Sequence, residues 1–392
     1  MLAMSNIPCA QDLKAIAVDL VPLLRKNATQ TDQESLVPEE NLILLRESGL
    51  LSLGRPSIYG GSEGDLETLL ATQVILAQGC GSTSWVAGLG NLASYLIGLF
   101  PAEAQHDVWG TNPNHRITCV TSTALAEMTE VEGGWQISGK WRYASGCMHA
   151  QWAVVGVPTK TAEGKPDVGL ALLPMSEVKI EKNWDVIGMR GTGSHTLVIE
   201  NAFIPTHRQQ SYAACMAGNA ATAFDLDAHP MYRLSFTYAF GLCLAATPVG
   251  LAKAALDESI LLAPKRNIPL FNIPQSAASS VQTFFGNAAM KTDSADLHLM
   301  RAAKVGDEAA LKGIELNKKE TLQGHTDGIA ASQYATEAIR LLNRAQMSGS
   351  FANSNPLQRM WRDCEVASSH FGFAEMFVEM YGQSLLNMDA ND

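Results

Sequence analysis

The stretch "WDVIGMRGTGSHTLVIENAFIP", residues 184–205, runs from a tryptophan-led apolar segment into a turn carrying Gly188, Gly191 and Gly193, and leaves as a strand ending at Pro205. Glycines so closely spaced predict a turn whose backbone needs positive φ. Upstream, "RITCVTST", "GGWQISGKWRYASG", "WAVVGVP" and "VGLALLP" are short alternating or apolar runs separated by glycine- or proline-bearing turns. That pattern has a period of two and predicts strands, so residues 116–210 read as a compact β-domain.

Outward in both directions the period becomes helical. Segments such as "QDLKAIAVDLVPLLRKNA" and "ENLILLRESGLL" make residues 1–115 a helical first domain. Residues 219–392 return to long helical patterns, including "LAKAALDESILLA" and "DGIAASQYATEAIRLLNRAQ". Three prolines in "PKRNIPLFNIPQSA" exclude continuous helix there. The order α, β, α predicts an α+β protein that is mostly α, with no internal repeat.

Composition narrows the function. The chain has 392 residues, 46% hydrophobic and 17% charged, enough for a large core divided among two or three domains. Its formal charge of −11 repels phosphate backbones, and no basic run overturns that sign, so nucleic acid is excluded as a partner. The seven cysteines are scattered and never form C-x-x-C, which suggests neither a disulfide framework nor a metal site and fits a reducing cytoplasm. The N-terminus lacks a basic region followed by an apolar one, which argues against secretion. "LSFTYAFGLCLAATPVGLA", residues 234–252, is uncharged and long enough to span a membrane. Its serine, threonines, tyrosine and proline, and the absence of a flanking basic cluster, predict a helix buried in a bundle instead, with no membrane partner.

Some motif matches carry nothing. "GLGNLA", residues 88–93, fits a loose dinucleotide fingerprint but lies in a helical run with no strand before it. "GGSEG", residues 60–64, fits a nucleophile elbow but lies between helices. Cys147 and His149 lack a second pair at a supporting spacing, so no metal site is expected.

With its α, β, α order over the whole chain, the 184–205 stretch resembles the acyl-CoA dehydrogenase superfamily. The resemblance implies an N-terminal helical domain, a middle β-barrel or sandwich, and a C-terminal four-helix bundle that also makes the homo-oligomer, a dimer or tetramer. It implies that the strand "KWRYASG" lies against a flavin ring. Ser145 then bonds flavin N5, while Trp141 and Tyr143 either wall the ring or support the sheet. Arg266, in "PKRNIPLF", sits roughly where the family has an arginine reaching flavin across a subunit interface. "QMSGSFANSN", residues 346–355, resembles the family's Q-x-x-G-G loop, which brings Gln346 to the cofactor; Ser350 replaces a glycine and leaves FAD or FMN open.

Within the superfamily, many dehydrogenases have a catalytic glutamate before a glycine; here Phe371 precedes Gly372. A phenyl ring is no base. "SSH", ending at His370, and "SGCMHA", residues 145–150, instead resemble the two-component flavin-dependent monooxygenases, such as the oxygenase of 4-hydroxyphenylacetate 3-hydroxylase. That branch implies reduced flavin from a separate NAD(P)H-dependent reductase, O₂ as co-substrate, and a C4a-hydroperoxyflavin that hydroxylates or epoxidises a small aromatic compound. His370 and Ser145 are then the catalytic residues. Phe371, Asn91, Tyr95 and Ser122 would line the substrate pocket. The helix "GLGNLASYLIGLF" lacks the histidine that phenol hydroxylases of this branch use, so an indole-type substrate is favoured over a phenol. The alternatives are an acyl-CoA dehydrogenase with a displaced base and an amine or amino-sugar N-oxygenase on the same fold.

Overall fold

The computed structural model describes residues 9–386 except 162, 219, 221–222, 224 and 269–270. Five helices come first: α1 Ala10–Glu34, α2 Glu39–Glu47, α3 Leu66–Ala77, α4 Gly81–Gly98 and α5 Ala102–Trp109. Seven strands follow: β1 Ile117–Val120, β2 Ala126–Val131, β3 Gly134–Ala144, β4 Trp152–Lys160, β5 Pro166–Pro174, β6 Lys179–Glu181 and β7 His195–Pro205. A short strand, β8 Gln209–Ser211, leads through α6 Tyr212–Met216 to the long helix α7 Phe236–Leu262. A hairpin of β9 Asn267–Ile268 and β10 Ile273–Pro274 breaks the helical pattern where the prolines predict it. The chain closes with α8 Ser279–Lys312, α9 Lys318–Gln346, α10 Pro356–Ser368 and α11 Glu375–Leu385.

Two four-stranded sheets face each other, ordered β1-β4-β5-β8 and β2-β3-β7-β6. The pairing of β1 with β4 is parallel, and every other pairing in the two sheets is antiparallel. The apolar runs of β4 and β5 are explained by burial on both faces. Ala153, Val155, Ala171 and Leu173 pack against Ile137, Leu197 and Ile199 of the opposite sheet. Their neighbours Trp152, Val154, Leu170 and Leu172 point the other way, into the helical core with Leu96, Phe100 and Val108.

The uncharged stretch forms most of α7, and 78% of its apolar window is buried, as the bundle reading predicts. Its polar residues are used inside. Gln73 of α3 donates to the Cys243 carbonyl at 2.9 Å and to Thr247 at 3.2 Å, and Ser84 of α4 lies 3.0 Å from the Thr247 hydroxyl. Buried amides and hydroxyls need such partners, and these cross-link α3, α4 and α7. The "GLGNLA" run sits within α4, where a Cβ on Gly88 would stand 2.3 Å from the Gln73 side chain. All seven cysteines are free thiols, and burial pushes those of Cys119, Cys215 and Cys243 up to about 12 and those of Cys147 and Cys364 up to about 11. Among the described residues no group of acidic, cysteine and histidine side chains forms a metal cluster.

The turn at 184–194 is tied to α10. Asp363 accepts the Met189 amide at 2.5 Å, and a Cβ on Gly188 would lie 2.1 Å from the Arg362 carbonyl oxygen. Gly188 is therefore required by close approach; of the three glycines only Gly193, at φ +52°, takes the left-handed backbone. Burial raises the Asp363 carboxyl from 3.8 to about 6. Between those values the folded chain holds a proton that the unfolded chain releases, so this group's contribution to stability falls as pH rises through the window. Asp363→Asn keeps the Oδ1 acceptor and loses that dependence. The drop in urea midpoint between about pH 4.5 and about pH 7 should be smaller in the variant than in the parent.

Candidate active site

β3 does not keep its alternation to the end. A register shift against β7 lies between Trp141 and Ala144, and Tyr143 there adopts φ +68°. Trp141 turns into the sandwich core, 1% exposed, its indole N–H donating to the Gly156 carbonyl at 2.8 Å. Tyr143 faces outward and meets the Trp184 indole edge-on at 6.1 Å. The bulge thus separates two rings that strict alternation puts on one face. Of the two readings for Trp141, sheet support is the one its position fits.

Beyond the bulge lies a cavity of about 520 Å³, within the range of small-molecule and cofactor sites. Its wall includes Tyr143, Ser145, Trp184, Trp85, His370 and Phe371, with Phe236 and Phe240 from α7. Ser145, Tyr143, His370 and Phe371 are therefore brought together. Asn91, Tyr95 and Ser122 do not line the cavity. The Asn91 amide donates to Leu50 O at 2.8 Å and accepts from Leu53 N at 3.0 Å, pinning α4 to the loop after α2. Tyr95 stacks on Tyr232 at 5.7 Å and donates to the Leu234 carbonyl, and burial raises its phenol well above 10. Ser122 is exposed and accepts from Ala124 N, a turn contact. The likeness of this helix to the family's placed the first two in the pocket; the structure buries both in the helical core.

Arg266 and Gln346 meet each other rather than the cavity. Arg266 donates to Gln346 Oε1 at 2.6 Å, Asn355 donates to the same oxygen at 3.1 Å, and Gln346 Nε2 donates to Ser259 at 2.8 Å. Both lone pairs of the Gln346 amide oxygen are taken, while one Nε2 hydrogen of Gln346 and the other guanidinium donors of Arg266 have no partner among the described residues. Cys147 and His149 belong to a 3-10 turn, with Cys147 Sγ donating to Gly193 O at 3.4 Å.

The hydroxyls at the cavity form a directed chain. Thr192 donates to Met189 O at 2.8 Å, so towards Ser194, 2.7 Å away, it accepts. Ser194 therefore accepts from Ser145, also at 2.7 Å, and the Trp85 indole N–H donates to Ser145 at 3.2 Å. The one Ser145 proton is committed to Ser194, which leaves an oxygen lone pair for a ligand. Ser145 is a hydrogen-bond acceptor towards the cavity. Trp85, Thr192 and Ser194 were not foreseen; "GTGS" and "STSW" mark turn and cap chemistry but give no partner across the fold.

His370 caps the 3-10 turn Phe371–Phe373, and its Nδ1 accepts the Gly372 N–H at 3.0 Å. Its ring lies 5.7 Å from Phe240 and 6.1 Å from Trp85, and burial lowers its pKa below 6.5. Near neutral pH the imidazole is uncharged, with the proton on Nε2 because Nδ1 is an acceptor. The site therefore sets a fixed N–H donor and a fixed oxygen acceptor in an apolar, aromatic enclosure. A flat heteroaromatic ring system fits such walls.

Comparison with known proteins agrees with this architecture. Residues 242–375 match the family described as acyl-CoA dehydrogenase, C-terminal domain. The chain is 30% identical over 377 residues to the FADH(2)-dependent resorcinol hydroxylase, oxygenase component, of Rhizobium sp. (strain MTP-10005), covering 94% of this chain and 92% of that protein. Among solved structures, the HsaA monooxygenase from M. tuberculosis superposes with a TM-score of 0.90 at 28% identity, covering 98% and 99%. XiaF from Streptomyces sp., in complex with FADH2 and glycerol, gives 0.89 at 28% identity, covering 98% and 97%.

Ser145→Ala strands the Trp85 donor and removes the donor that Ser194 accepts. It should destabilise the chain by about 1–3 kcal/mol in urea unfolding, the cost of buried groups left unpaired. An unchanged midpoint would show that the hydroxyl chain adds nothing to the fold.

Proposed function

The chain belongs to the flavin-dependent oxygenases built on the acyl-CoA dehydrogenase fold, and from that premise we propose that it inserts one oxygen atom into an indole-type heteroaromatic compound. The enzyme is a flavin-dependent monooxygenase acting on aromatic substrates. The acceptor state of Ser145 carries the cofactor reading. Reduced flavin has a hydrogen on N5 and oxidised flavin has none, so a lone pair at Ser145 suits the reduced form. FADH2 is the first flavin to offer, because it is named with two of the similar proteins. A separate reductase supplies it, in keeping with the name "oxygenase component" and with "GLGNLA" being helix.

Bound reduced flavin and O₂ supply the oxygen atom that is transferred. Ser145 would hold the flavin ring by accepting its N5–H, since its own proton is committed to Ser194. The neutral His370 would offer its Nε2–H to negative charge in the cavity without being an acid strong enough to protonate it early. The phenyl rings of Phe236 and Phe240 and the indole of Trp85 keep water away from these two groups. Among the described residues no lysine or arginine lines the cavity, so it would hold the flavin ring and not the phosphates. We assign them to a second copy of the chain, which also covers Met290, Leu297 and Leu311, all more than 60% exposed on α8.

The substrate reading rests on the cavity's titratable groups. Among the described residues no carboxylate, lysine or second imidazole lines it, so none of them stands ready to remove a phenol proton. Indole is nucleophilic without losing one. A phenol is the second reading, favoured by similarity to the resorcinol hydroxylase.

The test mixes the protein anaerobically with FADH2 and either indole or resorcinol, then adds ¹⁸O₂. One labelled oxygen in an indole product is expected, with hydrogen peroxide rising at its expense in Ser145→Ala and His370→Ala. Labelled product from resorcinol alone would move the substrate to the phenols. Reduction of bound FAD by an acyl-CoA, with no labelled product from either ring, would replace the monooxygenase reading with dehydrogenase chemistry.

A further inference from the structure

A second, smaller pocket of about 40 Å³ lies on the other flank of α4 from the large cavity. Successive residues on a helix point about 100° apart, so Trp85 and Leu89 face the large cavity while Val86 and Gly90 face the small one. The turn Ser145–Gly146 closes the end of this pocket as well.

Its wall is cationic. Arg46, Arg55 and Arg116 line it with His115 and His149, and among the described residues no aspartate or glutamate does. Two of the charges have partners at the rim. Arg116 lies 3.4 Å from Glu39 and donates to His149 O at 2.7 Å, and Arg46 lies 3.7 Å from Glu47. Arg55 is different. It is 8% exposed, its acceptor among the described residues is the Pro113 carbonyl, and it has no acidic partner among them. Burial alone lowers its pKa to about 10, with no neighbouring charge offsetting it. A guanidinium carries five donors, so most of those on Arg55 are left for another group.

A second orphan lies in the same pocket. His149 is tethered at Nδ1, 3.4 Å from Glu39, while its buried Nε2 has no hydrogen-bond partner among the described residues. A buried cation without a counter-charge and a buried imidazole nitrogen without a partner are both costly, and one ligand would satisfy both.

We propose that this pocket binds a small oxyanion of the carboxylate type, held by Arg55 and Arg46, with His149 donating to it from Nε2. One water needs about 10–15 Å³ of such space, so 40 Å³ admits a group of roughly three heavy atoms, the size of a carboxylate and too small for a ring. The carboxylate is either a free small acid or the arm of an aromatic acid. The site is separate from the oxygen-transfer chemistry, and binding is measured without turnover.

Isothermal titration of the full chain in a bulky sulfonate buffer, at constant ionic strength, uses three probes: sodium acetate, indole-3-acetate and neutral indole-3-acetamide. Acetate should bind saturably, and Arg55→Gln should weaken it at least about tenfold, the loss expected for a charge-assisted hydrogen bond. Arg46→Gln, at a half-exposed position, provides the same reading if Arg55→Gln does not fold, with a smaller loss. Indole-3-acetate binding more tightly than both acetate and the amide, with the preference removed by Arg55→Gln, would identify the arm of an aromatic acid. Acetate binding as tightly as indole-3-acetate would identify a free anion. No saturable acetate binding together with equal affinity for the indole acid and its amide, or affinities unchanged in both arginine variants, would overturn the proposal.

Discussion

The cavity depends on one dislocation in β3. Holding Tyr143 in the left-handed region costs about 1–2 kcal/mol for a residue with a bulky side chain. It persists because Trp141 on one side is locked by its hydrogen bond to Gly156, and because Ser145 on the other side belongs to the Ser194–Thr192 chain. Relaxing the bulge would turn Trp141 outward or Ser145 inward. The sandwich core and the cavity wall are thus two results of the same constraint.

The loop opposite is held with equal economy. Met189 takes a left-handed backbone, its amide going to Asp363 and its carbonyl receiving both Thr192 and the Trp184 indole. A single residue's peptide groups therefore link α10, the indole that meets Tyr143 and the first hydroxyl of the directed chain. Proton direction along that chain starts at the Met189 carbonyl, because an oxygen that can only accept forces each hydroxyl behind it to donate forward.

Much of this was legible in the sequence and some could not be. The strands announced themselves by period, and β4 and β5 by apolar runs that only two-sided burial explains. Ser145 and His370, named for the short, order-specific wording around them, both line the cavity. Asn91 and Tyr95 were misplaced for a physical reason: likeness to a family's helix does not fix its register, and so does not say whether a given residue meets a cavity or another helix. For Trp141 the sequence left two readings open, because a bulge that inserts a residue leaves no mark on composition and reverses every face beyond it. Trp85, Ser194 and Arg55 act through partners distant in sequence, and a single sequence does not record such pairs.

Burial of the thiols has a chemical consequence for an enzyme that handles oxygen. Flavin oxidation that fails to reach substrate yields hydrogen peroxide inside the protein, and peroxide attacks cysteine as the thiolate. A thiol with a pKa of about 11 to 12 is ionised to only about one part in ten thousand or less at pH 7. Cys119, which borders the large cavity, is among them. Burial keeps these thiols in the unreactive form, and the exposed thiol of Cys9 is left as the cysteine that peroxide released by uncoupled turnover reaches first.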